Sequence, residues 1–132
     1  MNASTKYEKW RGHPPDFTSS YRFYTQGEGG RKLLPGQYYR GDFMYAEDSP
    51  KDGIYMIHHE FTGEGGEVFP EGTLPIPRSG TARMWIVVPE MRYKVHRERI
   101  VEGTKYFIME GSRRVGEGVV TGILGLHTNP TK

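Results

Sequence analysis

The sequence predicts an all-β domain, and three observations support this fold class. Glycine, proline and tyrosine are frequent, at 18, 9 and 9 of 132 residues, a composition that favours strands joined by turns. Several segments are rich in aromatic or β-branched residues, and short stretches with glycine or proline separate them. No segment has a convincing helical pattern. Six or seven strands with short connections indicate a barrel or a sandwich.

Aromatic-rich segments predict the first three strands. Residues 16–25 form the first, with alternate side chains on opposite faces. Residues 37–46 form the second, with Gly41 as a bulge. A strong turn signal, EDSPKDG, separates it from the third strand at residues 54–61.

The centre of the chain contains its most apolar segment, which we predict to be the fourth strand. This strand covers residues 82–88, and Pro89 ends it. Residues 91–101 are charged and alternating, and they fit either an exposed strand or a helical turn.

The C-terminal segment KYFIMEGSRRVGEGVVTGIL predicts a β-hairpin. Its strands cover residues 105–109 and 113–124, and Gly111 supplies the positive φ that a two-residue turn needs. Gly116 and Gly118 indicate a bend or a close approach of backbone.

The chain length fits one domain with a core of its own. We expect residues 1–12 to form a flexible arm, residues 13–124 the β domain and residues 125–132 a tail. The chain lacks cysteine, which excludes disulfides and thiolate sites and fits a cytoplasmic location. Neither a signal peptide nor an apolar run of about 18 residues is found, so we expect no membrane partner.

Three segments carry a resemblance to a known family. The first is EGGR at residues 28–31, and the second is Tyr39-Arg40 followed by Phe43. The third is the final hairpin, which aligns without a gap. Its matching residues are Gly103, Ile108, Glu110, Gly111, Arg113, Val115, Gly116, Gly118, Val119 and Val120. In this order, the three segments resemble the C-terminal β-barrel domain of bacterial elongation factor Tu.

The resemblance implies a closed six-stranded Greek-key-type β-barrel. The chain departs from the family between residues 46 and 69, where it is longer and acidic, and we expect an elaborated middle hairpin there. In the full factor this barrel follows a GTPase domain and another barrel. The present chain has no G-x-x-x-x-G-K-[ST] and no Asn-Lys-x-Asp, so we expect no GTP binding.

The family also suggests partners, since its barrel contacts the T-stem of aminoacyl-tRNA and the exchange factor. The resemblance implies that the backbone at Glu110 and Gly111 would touch tRNA. Met109 stands where the family has a basic residue, and His96 where it has a lysine. Two charged contacts are therefore weakened or lost. The loss matters for tRNA binding, because phosphate contacts supply much of the affinity for nucleic acids.

Charge is distributed unevenly around a net value of +2. Residues 1–40 carry seven Lys/Arg against three Asp/Glu, residues 41–71 one Lys against eight acids, and residues 92–114 seven Lys/Arg against three Glu. The last segment interleaves basic and aromatic residues, a pattern that fits either RNA binding or a solvated strand face with core tyrosines.

The sequence contains no pattern typical of an enzyme. His58, His59 and Glu60 are adjacent, but only His58 and Glu60 can share the face of a strand, which is too few ligands for a metal site. The glycine-rich loops open no helix that could hold a phosphate. We therefore expect no catalysis, no metal and no cofactor.

These observations favour a non-enzymatic binding module that engages a protein partner or a second copy of itself. RNA binding, to tRNA or ribosomal RNA in a translation-related role, is the alternative, and a ligand inside the barrel is a second one. The candidate RNA- or partner-binding residues are Arg31, Tyr39, Arg40, Arg92, Lys94, His96, Arg97, Glu110, Gly111, Arg113 and Arg114.

Overall fold

A computed structural model describes residues 5–132, which form one six-stranded antiparallel sheet with few helices. The strands are β1 (Phe17–Phe23), β2 (Asp42–Tyr45), β3 (Ile57–Thr62), β4 (Ser79–Ile86), β5 (Lys105–Glu110) and β6 (Arg113–Ile123). The helices are α1 (Lys6–Arg11) and α2 (Arg97–Arg99), and short helical turns cover Gln26–Glu28, Pro50–Asp52 and Arg92–His96. The all-β prediction is confirmed. Within residues 5–132, no helix combines the length and apolar composition needed to cross a membrane.

The sheet curls into a half-barrel with the strand order β2-β5-β6-β1-β4-β3. β1 lies at its centre and pairs with β4 on one side and β6 on the other. Alternate residues of β1 are buried, because every second side chain points into the curl. The inward side chains pack into a single core rich in aromatic rings. A short polar chain crosses this core, in which the Tyr106 hydroxyl lies 2.7 Å from Ser19 Oγ and 2.9 Å from His59 Nε2.

The prediction of a closed barrel is wrong. The edge strands β2 and β3 do not pair along their lengths, and the two edges meet only where Phe43 and Tyr55 exchange backbone hydrogen bonds of 2.8 and 2.7 Å. Tyr38 takes a positive φ of 66°, so the chain turns out of the sheet before β2 begins. β2 is therefore four residues long, although the sequence predicted a strand over residues 37–46.

Gln37 covers the free edge of β3. Its side-chain amide donates to the carbonyls of Phe61 and Phe69, and its side-chain oxygen accepts from the Phe61 N–H. The backbone groups of Phe61 that a closing strand would have paired are satisfied by this side chain and, at the carbonyl, also by the N–H of Phe69 at 3.0 Å.

The C-terminal hairpin forms as predicted. Gly111 has φ 61° at the turn between β5 and β6. The predicted close approach is at Gly118, where an added Cβ would lie 2.3 Å from the ring of Tyr106. The ring thus lies across the glycine, and any side chain there would displace it.

Residues 91–99 are helical, which decides between the two conformations predicted for residues 91–101. A wide helical turn over Arg92–His96, closed by the hydrogen bond from Arg97 N–H to the Arg92 carbonyl, continues into α2. We call residues 92–99 the helical segment.

The predicted flexible arm contains a helix from residue 6, while residues 1–4 lie outside the described residues. Thr5 and Glu8 form a capping box at the start of α1. Tyr7 is buried against Trp85 and Tyr38, so α1 covers the outer face of the sheet. The predicted tail is also anchored, since Leu126 and Asn129 are buried.

Candidate functional site

All the predicted binding residues except Arg40 divide between the two ends of the curled sheet. One end carries the turn between β5 and β6, and we call it the hairpin end. The helical segment lies at the other end, where β1 begins and β4 finishes. Arg31, Tyr39, Glu110, Gly111, Arg113 and Arg114 lie at the hairpin end, whereas Arg92, Lys94, His96 and Arg97 lie in the helical segment. The residues do not form one continuous basic surface.

Glu110 is the centre of the hairpin end. Its carboxylate accepts hydrogen bonds from the guanidinium of Arg31 and from the hydroxyl of Tyr39. Partial burial opposes ionisation of Glu110, but these two hydrogen bonds and the Arg31 charge outweigh it and hold the pKa of the carboxyl below its usual value. The positive charge of Arg31 is therefore paired within the fold.

Arg113 makes a second link across the same end. Its Nε donates to the carbonyl of Gly29 at 3.1 Å, and its Nη2 donates to the carbonyl of Gly30. The EGGR turn and the hairpin turn are thus held together by Arg113 and by the pairing of Arg31 with Glu110. All three segments that carried the family resemblance meet here, because Tyr39 belongs to the second of them.

The outer surface of the hairpin end is partly apolar. Leu33 and Leu74 are 72% and 73% exposed. Their segments run side by side, since Gln37 N–H donates to the Thr73 carbonyl and Ile76 N–H to the Pro35 carbonyl. Leu33 also follows Arg31 closely, whose Nε donates to the Leu33 carbonyl. Leu33 therefore lies beside the ion-paired cluster, and the segment that carries Leu74 runs next to that of Leu33.

The helical segment uses most of its predicted binding residues for internal contacts. Arg92 is 1% exposed and pairs with Asp16 through Nε at 2.7 Å and Nη2 at 3.1 Å. His96 is fully buried, with Nδ1 2.7 Å from the Tyr45 hydroxyl. Arg97 donates to the carbonyls of Leu126 and Asn129. Among these residues only Lys94 is exposed.

Burial keeps the rings of His59 and His96 uncharged. Desolvation lowers the pKa of His59 to about 3 and that of His96 to about 4, so both rings are neutral at pH 7. His58 and Glu60 face the outside of β3, as the strand alternation predicted, while His59 faces the core. Glu60 accepts from Arg83 Nε at 3.0 Å and from Trp85 Nε1 at 3.3 Å beneath α1. Within residues 5–132, no group of three potential metal ligands is present.

Arg40 lies apart from the other predicted residues, next to Trp10, whose ring centroid is 5.9 Å from the Arg40 guanidinium carbon. Trp10 and Arg11 border a surface cleft that the sequence analysis did not predict. The capping-box pattern Thr5-x-x-Glu8 is the signal that could have placed these residues on a helix.

No protein-family model matches the chain. A comparison with the curated proteins finds no match either.

Proposed function

We propose that this chain is a non-enzymatic binding module, akin to the C-terminal domain of elongation factor Tu, that engages a protein partner or a second copy of itself through the hairpin end. The single observation that carries this proposal is the presence of two exposed leucines, Leu33 and Leu74, on neighbouring segments at the hairpin end, where the charged side chains are already paired internally. An apolar patch beside rigid, paired polar groups suits a protein surface better than a phosphate backbone.

Two further features support the kinship. The three segments that resemble the family converge on Glu110, although they are distant in sequence. Phe43 of β2 contacts Tyr55 just before β3, and β1 lies beside β4, an arrangement that supports a Greek-key connection.

Self-association tests the proposal directly. We expect light scattering after size exclusion to give a dimer, or a stable complex with a partner, that Leu33→Asp with Leu74→Asp abolishes. The matched control is Val101→Asp with Leu124→Asp, because these residues are 58% and 49% exposed away from the hairpin end. A monomer at all concentrations without a retained partner, or equal loss in both double variants, would contradict the proposal.

RNA binding is the second candidate, and the exposure of Gly111, Arg113 and Arg114 at the turn favours it. The same preparations test it through salt-sensitive retention of RNA. Arg113→Glu with Arg114→Glu should release that RNA, whereas the leucine variants should not. No RNA at low salt would exclude this candidate.

A further inference from the structure

A cleft of about 300 Å³ lies at the other end of the molecule, between α1, the end of β4 and the C-terminal segment. We call it the Trp10 cleft. Trp10, Ile86, Val87 and Pro89 supply its apolar walls, and Arg11 and Arg92 supply charge. Its volume suits a molecule with one or two rings. No Asp or Glu is among the lining residues, all of which lie within the described part of the chain.

Arg11 is the unusual residue of this cleft. Its guanidinium carbon lies 5.1 Å from the ring centroids of both Tyr7 and Trp10, so the group packs against two aromatic rings. Its Nε is buried without a hydrogen-bond acceptor. Among residues 5–132, no acceptor reaches its other nitrogens, and no carboxylate forms an ion pair with it. A half-buried guanidinium without a partner is uncommon, because such donors are normally satisfied.

Arg92 differs from Arg11, although both line the cleft. Asp16 neutralises Arg92, and Arg92 also donates to the carbonyls of Ile86 and Pro130. Burial, together with the nearby charges of Arg92 and Arg40, lowers the pKa of Arg11 from its usual value, although the charge of Asp16 opposes this. Lys132 also lines the cleft but is exposed, so solvent screens its charge.

We propose that the Trp10 cleft binds a small organic carboxylate, whose charged end pairs with Arg11 and whose flat or apolar body packs against Trp10 and the Ile86–Pro89 wall. One uncompensated guanidinium matches one negative charge, and the planar fork of arginine fits a carboxylate in a bidentate pair. The exposed ring of Trp10, at 62%, offers a stacking surface for the body of the ligand. This site is independent of the protein-binding surface at the hairpin end.

Calorimetric titration of the full chain with benzoate tests the site. We expect saturable binding of benzoate, and binding at least about tenfold weaker for the uncharged benzamide. Arg11→Gln should weaken benzoate binding about tenfold or more, because a charge-assisted hydrogen-bonded pair is lost. Trp10→Ala should weaken both ligands, because it removes the packing surface.

The matched control is Arg22→Gln, since the Arg22 guanidinium also lies over an aromatic ring, that of Tyr24 at 5.1 Å, but outside this cleft. It should leave benzoate binding unchanged. Thermal melting shows whether Arg11→Gln keeps the fold. If Arg11→Gln is unfolded, the folded variant Arg11→Lys is titrated with benzoate in its place. Weaker benzoate binding by Arg11→Lys supports the bidentate pair. Absence of saturable benzoate binding, equal binding by the Arg11 variants, or tighter binding of phenyl phosphate than of benzoate would overturn the proposal.

Discussion

Glu110 accepts from Arg31 and Tyr39, which approach it from two separate segments before β2. Glu110→Gln removes the charge that both donors share, and we expect it to lower the free energy of unfolding by about 1–2 kcal/mol. The value is at the modest end because the ion pair is about one-third exposed and solvent screens it. Urea denaturation of the purified variant measures this change.

Glu117→Gln is the matched control for Glu110. Glu117 is half exposed and lies 3.5 Å from Arg22, as an ordinary surface ion pair. We expect a change within about 0.5 kcal/mol. Similar losses in the two variants would show that Glu110 is no anchor for the hairpin end.

At the scale of elements, Asp16 joins four parts of the chain. Its carboxylate accepts from Arg92 in the helical segment, from the backbone N–H of Ile86 at the end of β4, and from Asn129 near the C-terminus. Asp16 itself directly precedes β1. One buried carboxylate therefore fixes the helical segment and the C-terminal residues against the sheet.

Breaking this buried pair should be costly. We expect Arg92→Met to lower the free energy of unfolding by about 3–5 kcal/mol, because it leaves the carboxylate of Asp16 buried without its counter-charge. Denaturation monitored by circular dichroism gives the value. Arg99→Met, which breaks the partly exposed pair with Asp48, is the control and should cost about 1 kcal/mol or less. Comparable costs would contradict the anchoring role of Asp16.

Local patterns predicted those elements that depend on local chemistry. The final hairpin was predictable because alternation and the glycine turn act within about 20 residues, and Gly118 marked the approach of Tyr106. The burial of Arg92 was not predictable from its charged segment, because its counter-ion lies 76 positions away in sequence. For the same reason the seven basic residues between 92 and 114 could not be separated into paired and free groups before the fold was known.

The open curl could not be predicted either, and the conformation of Tyr38 before β2 shows one reason. Tyr38 adopts a φ that favours glycine. Its hydroxyl donates to Glu60 at 3.1 Å, whereas the hydroxyl of Tyr39 donates to Glu110 at the hairpin end. Propensity predicts a continuous strand for the tyrosine-rich segment. Side-chain contacts of Tyr38 and Tyr39 override that preference.

For the whole molecule, the buried neutral histidines predict a loss of stability in mild acid. The pKa values of His59 and His96 are about 3 and about 4 in the fold, below the ordinary value near 6.5 of the unfolded chain. The unfolded chain therefore binds protons first as pH falls below about 6.5. Stability is full above that pH and declines towards pH 4.

We expect the free energy of unfolding to fall by about 2 kcal/mol for each of these histidines when the pH is lowered from 7 to 5. His96→Gln should reduce the pH dependence by about that amount in urea denaturation at the two pH values. His127→Gln is the control, because His127 is exposed. A pH dependence that is identical in the wild type and in His96→Gln would contradict a neutral buried ring.

The amide of Gln37 has a consequence for how the molecule can be recognised. It occupies backbone positions of β3 that an incoming peptide would need, and the opposite border, β2, offers four residues. Addition of a strand from a partner, by which a sheet edge binds an extended peptide, therefore has little room at either edge of this sheet. A partner would instead contact side chains that project from the loops. Its specificity would then depend on the chemistry of those side chains and not on main-chain hydrogen bonds.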